Sequence, residues 1–139
     1  MKNIDKFIKK LESNDPLERN EAAVQLMNIG DDRAIKPLLK AIKKVENKNN
    51  RGTLIYALSA FDCSELFNFF VKLAFEGNYE VTYESLSILK QQQFKTSTND
   101  ISQLKLKIKA LKKQKNLPEH RNRAIKNIEY LIEKKWAQQ

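Results

Sequence analysis

Apolar side chains recur along the chain every three or four residues, which is the spacing of one face of an α-helix. Eight segments carry such stripes, beginning near residues 4, 16, 35, 51, 66, 78, 101 and 119. No segment sustains the period-two alternation of a strand, so the pattern predicts an all-α fold of about eight helices with no sheet. We expect the following stripe residues to be buried: Leu26, Leu38, Leu58, Phe70 and Leu86.

Residues with special backbone preferences mark where these helices begin and end. Asp15 and Pro16 predict an N-cap followed by the first helical position, and Glu18 stands where a capping box places its acid. Gly30 predicts a left-handed residue that ends this helix. The polar cluster at 96–100 predicts a loop and a cap ahead of the last two helices.

The helices come in pairs, and the pairs repeat. Arg19 aligns with Arg51 at a spacing of 32 residues, and Leu26 aligns with Leu58 at the same spacing. Arg121 follows Arg19 by 102 residues in a similar local sequence. Recurring pairs of short helices are typical of an α-solenoid, in which each pair buries its apolar faces on its neighbours.

Residues 15–38 carry a family resemblance. They include the run Asp-Pro-Leu-Glu-Arg-Asn-Glu-Ala-Ala-Val-Gln-Leu and, after a Gly-Asp turn, the run Arg-Ala-Ile-Lys-Pro-Leu. This pattern resembles the HEAT-like repeat of bacterial proteins. The resemblance implies a short solenoid that works as a binding scaffold, and it carries over no catalytic residue. It also places Pro37 inside the second helix of a repeat, where a proline costs a hydrogen bond.

We interpret residues 1–139 as a single HEAT-like domain. The first helix and the clearest repeat occupy 1–45, a second repeat occupies 46–77 and a degenerate third occupies 78–117, followed by a basic capping helix at 118–139. The second repeat lacks the Arg-Ala-Ile-x-Pro-Leu run and has Ser-Glu-Leu-Phe-Asn-Phe at 64–69.

The composition indicates the cellular compartment in which the chain is expected to work. No stretch approaches the roughly 20 apolar residues of a membrane span, and the first residues lack the apolar run of a signal peptide. A single cysteine cannot form an internal disulfide. These features predict a cytoplasmic protein with no membrane partner.

Chemistry-bearing residues are few, and each has a structural explanation. His120 is the only histidine and stands at a helix start, where a solvated or capping role explains it. Cys63 fits buried packing, although a reactive thiol at a helix N-terminus is the alternative. Trp136 continues the apolar stripe of the last helix. No phosphate-binding or nucleophile motif occurs, so we predict neither an enzyme nor a cofactor or metal.

Positive charge is concentrated in the last 39 residues. The whole chain holds 26 basic and 17 acidic residues, whereas residues 101–139 hold 11 basic and three acidic ones. Solvated helix faces give such a distribution, and so does a surface for an anionic partner. The candidate partner-binding residues on these faces are Lys36, Lys40, Lys43, Lys105, Lys109, Lys112, Arg123, Lys126, Tyr130 and Lys134.

Two functions fit these observations. The first is a monomeric scaffold, adaptor or inhibitor that binds another protein with an acidic surface, for which Lys36 to Lys43 and Lys105 to Lys112 are expected on one inner face of the solenoid. The second is a nucleic-acid-binding module, because basic residues with an interleaved tyrosine suit phosphate contact and base stacking. The middle helix between the two lysine sets contributes Glu65, Asn68, Lys72 and Glu76, so the basic stripe is interrupted, which favours a protein partner over a continuous nucleic-acid track.

Overall fold

The computed structural model describes residues 3–136, and these residues confirm the all-α prediction. Within this range there is no strand, and eight α-helices are present. The helices are α1 (Ile4–Lys10), α2 (Pro16–Ile29), α3 (Ile35–Lys43), α4 (Gly52–Leu58), α5 (Phe67–Glu76), α6 (Tyr79–Gln91), α7 (Thr98–Lys112) and α8 (Glu119–Leu131). Short 3-10 helices at Asp32–Ala34 and Val45–Asn47 and a π-helix at Ile132–Trp136 complete the elements.

The predicted start and end of α2 are confirmed, but the predicted capping box is wrong. Asp15 is the N-cap and accepts a hydrogen bond from the Leu17 backbone N–H, and Gly30 ends the helix at φ 71°. Glu18 does not accept from the N-cap backbone, and its carboxylate instead accepts a hydrogen bond from the Ser13 hydroxyl at 3.0 Å. Ser13 thereby joins the segment before α2 to its first turn.

Pro37 costs no helical hydrogen bond, contrary to the sequence prediction. The 3-10 turn Asp32–Ala34 separates Gly30 from α3, which starts only at Ile35. Pro37 therefore lies in the first turn of α3, where backbone N–H groups have no partner within the helix. A proline is tolerated at this end of a helix.

The polar cluster at 96–100 forms the cap that its sequence predicts. Ser97 accepts from the Asp100 N–H, and the Asp100 carboxylate accepts from the Ser97 N–H, which is a complete capping box. The Ser97 backbone donor, helped by the Asn68 side chain, lowers the pKa of Asp100 below its ordinary value. This cap starts α7 at Thr98, before the predicted residue 101.

The chain forms two compact units, divided between Cys63 and Ser64. In the N-terminal unit α1 packs on α2, and α4 packs on both α2 and α3. The largest fully buried side chains of this unit come from α2, α3 and α4: Leu26, Leu38, Ile42, Leu54, Ile55 and Leu58. The predicted burial of Leu26, Leu38 and Leu58 is thus confirmed.

The C-terminal unit is built on α5, α6 and α8, which pack on one another. Its core is aromatic: the Phe67 ring meets Trp136 edge-on at 4.8 Å between centroids and lies 6.0 Å from Phe94. Phe70 and Leu86 are buried, as predicted. Edge-to-face aromatic pairs stabilise such a core beyond the area that they bury.

Helices α6 and α8 run parallel to each other. Arg121, near the start of α8, bonds the carbonyl of Gly77 just before α6. Lys135, just after α8, bonds the carbonyl of Gln92 just after α6. The two contacts have sequence offsets of 44 and 43 residues, so the helices keep one register along their length.

The last turn of the chain's final helix is wider than an α-helical turn. The π-helix covers Ile132–Trp136, and both of these residues are buried. An α-helix has 3.6 residues per turn, so apolar residues spaced four apart gradually move off its buried face. The i→i+5 turn of a π-helix holds more residues, which keeps residues at this spacing closer to one face. Trp136 therefore reaches the core, which confirms its predicted packing role.

Candidate functional site

Three arginines that align in the sequence repeat have one structural task. Arg19 Nη1 donates to the Ser13 carbonyl at 2.9 Å, just after α1. Arg51 Nη1 donates to the Ile42 carbonyl at 3.3 Å, in the last turn of α3. Each guanidinium therefore satisfies carbonyls near the C-terminal end of the preceding helix, where the helix dipole favours a cation.

Arg121 does the same for α5, and Lys135 does it for α6. Arg121 donates to the carbonyls of Ala74 at 3.0 Å and Gly77 at 2.9 Å. The Lys135 ammonium donates to three carbonyls at the end of α6, including that of Gln92 at 2.6 Å. Burial lowers the pKa of both side chains. These two cations of the basic third are thus engaged within the fold, by hydrogen bonds to backbone carbonyls.

Lys105, Lys109 and Lys112 lie on one side of α7, as the sequence predicts. They line a groove of about 440 Å³ between α7 and the end of α8. Ile108 and Ile132 contribute apolar surface to this groove, and its other wall carries carboxylates. We call it the lysine groove. Its mixture of cations, acids and apolar surface resembles the rim and centre of a protein interface more than a phosphate track.

All three acidic residues of 101–139 pair with candidate cations. Glu129 accepts from Lys112 at 2.5 Å, and Glu119 accepts from Arg123 at 3.2 Å. Glu133 lies 3.6 Å from the ammonium of Lys134. The pairs are exposed, so each stabilises the fold by only about 0–1 kcal/mol. Their importance lies in placing negative charge among the cations that an anionic partner would meet.

Three candidate residues of the last helix share its outward face. Arg123, Lys126 and Tyr130 are exposed and lie opposite the buried residues of α8, as helical periodicity predicts. Arg123 also lines a groove beside α6. Lys134 follows in the π-helix, whose wider turn changes the register of the face.

The N-terminal unit holds a second basic groove, of about 270 Å³, between α1 and α3. The candidate residues Lys36 and Lys40 line it, with Glu12, over apolar surface from Ile8 and Leu11. Lys44 contributes the third lysine of its wall, whereas Lys43 is not among the lining residues.

A third groove, between α6 and α8, was missed by the sequence analysis. We call it the tyrosine groove; its volume is about 220 Å³. Tyr79 and Tyr83 line it and are 61% and 60% exposed. Lys90 and Arg123 supply its cations. The signal was present in the sequence, because residues 79, 83 and 90 fall on one face of a helix, outside the stripe that the core uses.

The only cysteine and the only histidine of the chain both lie within the packed structure. Cys63 is buried, and its thiol lies 3.3 Å from the Leu58 carbonyl, as expected for packing. His120 is half-buried at the second position of α8 and lines the tyrosine groove. Among residues 3–136, no three His, Cys, Asp or Glu side chains group as a metal site. The helices described in that range include none that is long and apolar enough to span a membrane.

Comparison of the chain with protein-family models, with curated proteins and with solved structures found no match.

Proposed function

We propose that this protein is a non-catalytic scaffold that binds another protein. The lysine groove is its main contact and meets an acidic surface on that partner. The observation that carries this proposal is that the three carboxylates of residues 101–136 each pair with a basic residue of that segment. Glu129 and Glu133 line the lysine groove itself. A polyanion that enters the lysine groove meets these two acids, whereas a folded partner can match both signs of charge.

We further propose that the helix pairs are HEAT-like repeats. The equivalent tasks of Arg19, Arg51 and Arg121, each bonded to carbonyls at the end of a preceding helix, support this relationship. The parallel register of α6 and α8 supports it as well, because successive repeats place equivalent helices side by side. Proteins built in this way bind partners along extended surfaces.

Nucleic-acid binding is the second candidate function. Exposed Tyr130 stands beside Lys126 on the outward face of α8, an arrangement that suits stacking on a base beside a phosphate. Such binding has a distinct signature, because six phosphate contacts give log K a slope of about −5 against log salt. A protein interface with an apolar centre is much less sensitive to salt.

Affinity purification from nuclease-treated extract of the source cell tests the proposed function. The bait is the wild-type chain, and the disabled bait carries Lys105→Glu, Lys109→Glu and Lys112→Glu. The control bait carries Lys107→Glu, Lys113→Glu and Lys115→Glu, three exposed lysines of the same segment with the same total charge change. We expect one stoichiometric protein to bind the wild-type and control baits and to be lost from the disabled bait.

Two results would contradict the proposal. In the first, nuclease treatment removes everything that the wild-type bait captures, which indicates nucleic acid. In the second, the disabled and control baits lose the partner equally, which means that net charge and not the lysine groove decides binding. Circular dichroism of all three baits confirms that the substitutions leave the fold intact, since surface changes of this kind cost about 0.5 kcal/mol each or less.

A further inference from the structure

We propose that the tyrosine groove is a second contact site, which binds an extended acidic peptide segment of the partner. This inference rests on the proposed function, since it assigns a site for part of the same partner. The groove has Tyr79 and Tyr83 on its α6 wall, with Asn127 and Arg123 on its α8 wall. Tyrosine and arginine are the residue types that most often dominate binding energy at protein interfaces.

The charge of this groove is one-sided, unlike that of the lysine groove. Lys90, Arg123 and the half-buried His120 line it, and none of its described lining residues is a carboxylate. Glu119 holds Arg123 from outside the lining, at 3.2 Å. The exposed pair leaves Arg123 able to exchange that partner for another carboxylate at little cost. An anionic segment therefore complements the groove.

The spacing of the two strong cations sets the length of the bound segment. The 44-residue offset between α6 and α8 places Arg123 level with Tyr79. Lys90 follows Tyr79 by eleven residues along α6, a rise of about 16 Å. An extended peptide covers that distance in about five residues. Two acidic residues five positions apart thus reach both cations, and the residues between them lie over the tyrosine rings.

The same spacing disfavours a single-stranded nucleic acid. A strand across this distance brings a phosphate at every nucleotide, while the groove offers strong cations only at its two ends, Lys90 and Arg123. A peptide needs charge only at those ends and can place an apolar side chain against Tyr83 between them. The volume of about 220 Å³ suits one or two such side chains and falls below that of an ordinary small-molecule pocket.

A labelled synthetic peptide, Gly-Glu-Ser-Phe-Ala-Ser-Glu-Gly, tests this site by fluorescence anisotropy against the full chain. We expect saturable binding at micromolar concentration and a loss of about tenfold or more when both glutamates are replaced by glutamine. Tyr83→Ala should weaken binding about fivefold to tenfold, the usual effect of removing an interface anchor. Lys90→Gln should weaken it about twofold to fivefold.

The controls separate this site from the lysine groove. Tyr56→Ala removes a 48% exposed tyrosine of the N-terminal unit and should leave peptide affinity unchanged. Absence of peptide binding overturns the inference, and so does binding that Tyr83→Ala and Lys90→Gln leave intact. A thymidine oligonucleotide that binds more tightly than the peptide, with loss in the same two variants, overturns it in favour of nucleic acid. The Lys105, Lys109 and Lys112 bait decides the proposed function separately, because it leaves the tyrosine groove unaltered.

Discussion

Replacing Arg121 by methionine should destabilise the C-terminal unit by about 2 kcal/mol. The methionine keeps most of the aliphatic stem and removes the guanidinium that donates to the carbonyls of Ala74 and Gly77, at 3.0 and 2.9 Å. These two hydrogen bonds come from a charged donor to the C-terminal end of α5, where the helix dipole adds to their strength.

The magnitude follows from what each carbonyl loses. The Ala74 carbonyl keeps a hydrogen bond from the Thr82 hydroxyl at 2.9 Å, so its loss is partial. The Gly77 carbonyl loses its charged donor, and an acceptor left without its partner in a partly buried place costs about 1–3 kcal/mol. Arg121 is half-buried, so water replaces part of this interaction, which keeps the total near about 2 kcal/mol.

Urea denaturation followed by circular dichroism measures this change, with Arg123→Met as the matched control. Arg123 is on the same helix, is 54% exposed and pairs with a Glu119 that is 87% exposed, so its loss should cost less than about 0.5 kcal/mol. Arg121→Lys should fall between the two, because a compact ammonium cannot span both carbonyls as a guanidinium fork does. Equal destabilisation by Arg121→Met and Arg123→Met would refute the structural role of Arg121.

Three further predictions concern the core, one glycine and one carboxylate. Leu58→Ala should cost about 2–5 kcal/mol in urea denaturation, because Leu58 is fully buried. Gly77→Ala should cost about 1–3 kcal/mol in the same assay, since its new Cβ would overlap the Val81 side chain and lie 2.8 Å from the Leu73 carbonyl. Asp100, whose pKa is lowered in the folded state, stabilises the fold above pH 4 or so, and this contribution is lost as pH falls through the folded pKa. Asp100→Asn should flatten that part of the stability–pH curve.

Each of these predictions has an outcome that contradicts it. A loss below about 0.5 kcal/mol for Leu58→Ala means that its side chain is not in the core. Unchanged stability of Gly77→Ala means that the turn between α5 and α6 has more room than the structure gives it. For the loss of stability at low pH, the control is Glu21→Gln, which changes an exposed carboxylate of α2. A stability–pH curve of Asp100→Asn that matches those of Glu21→Gln and the wild type excludes the capping-box contribution.

Local signals determined much of the fold, which is why the sequence predicted it. The spacing of each apolar stripe predicted a helix and no other element. Residues such as Gly30 marked helix ends through their own backbone preferences. Pro37 was misjudged because its cost depends on where α3 begins, and the 3-10 turn at Asp32–Ala34 decides that. The sequence marks the change from a 3-10 turn to an α-helix less clearly than it marks a cap or a helix-ending glycine.

The candidate surfaces were less predictable, because they depend on which flank of a helix faces a neighbour. The common side of Lys105, Lys109 and Lys112 follows from helical periodicity alone. By contrast, the inward role of Lys135 depends on carbonyls 43 to 46 residues away, which no local pattern reveals. Charge counted along the sequence therefore overstated the number of cations available to a partner.

Site-specific photocrosslinking from the lysine groove tests the central claim most directly. A photoreactive amino acid replaces Lys109 in the full chain, which is then irradiated in extract of the source cell, and the same group at exposed Lys115 serves as the control. We predict a protein adduct from position 109 that resists nuclease, is degraded by protease and weakens when Lys105 and Lys112 are changed to glutamate. A nuclease-sensitive adduct from position 109, or equal protein adducts from both positions, would contradict the account.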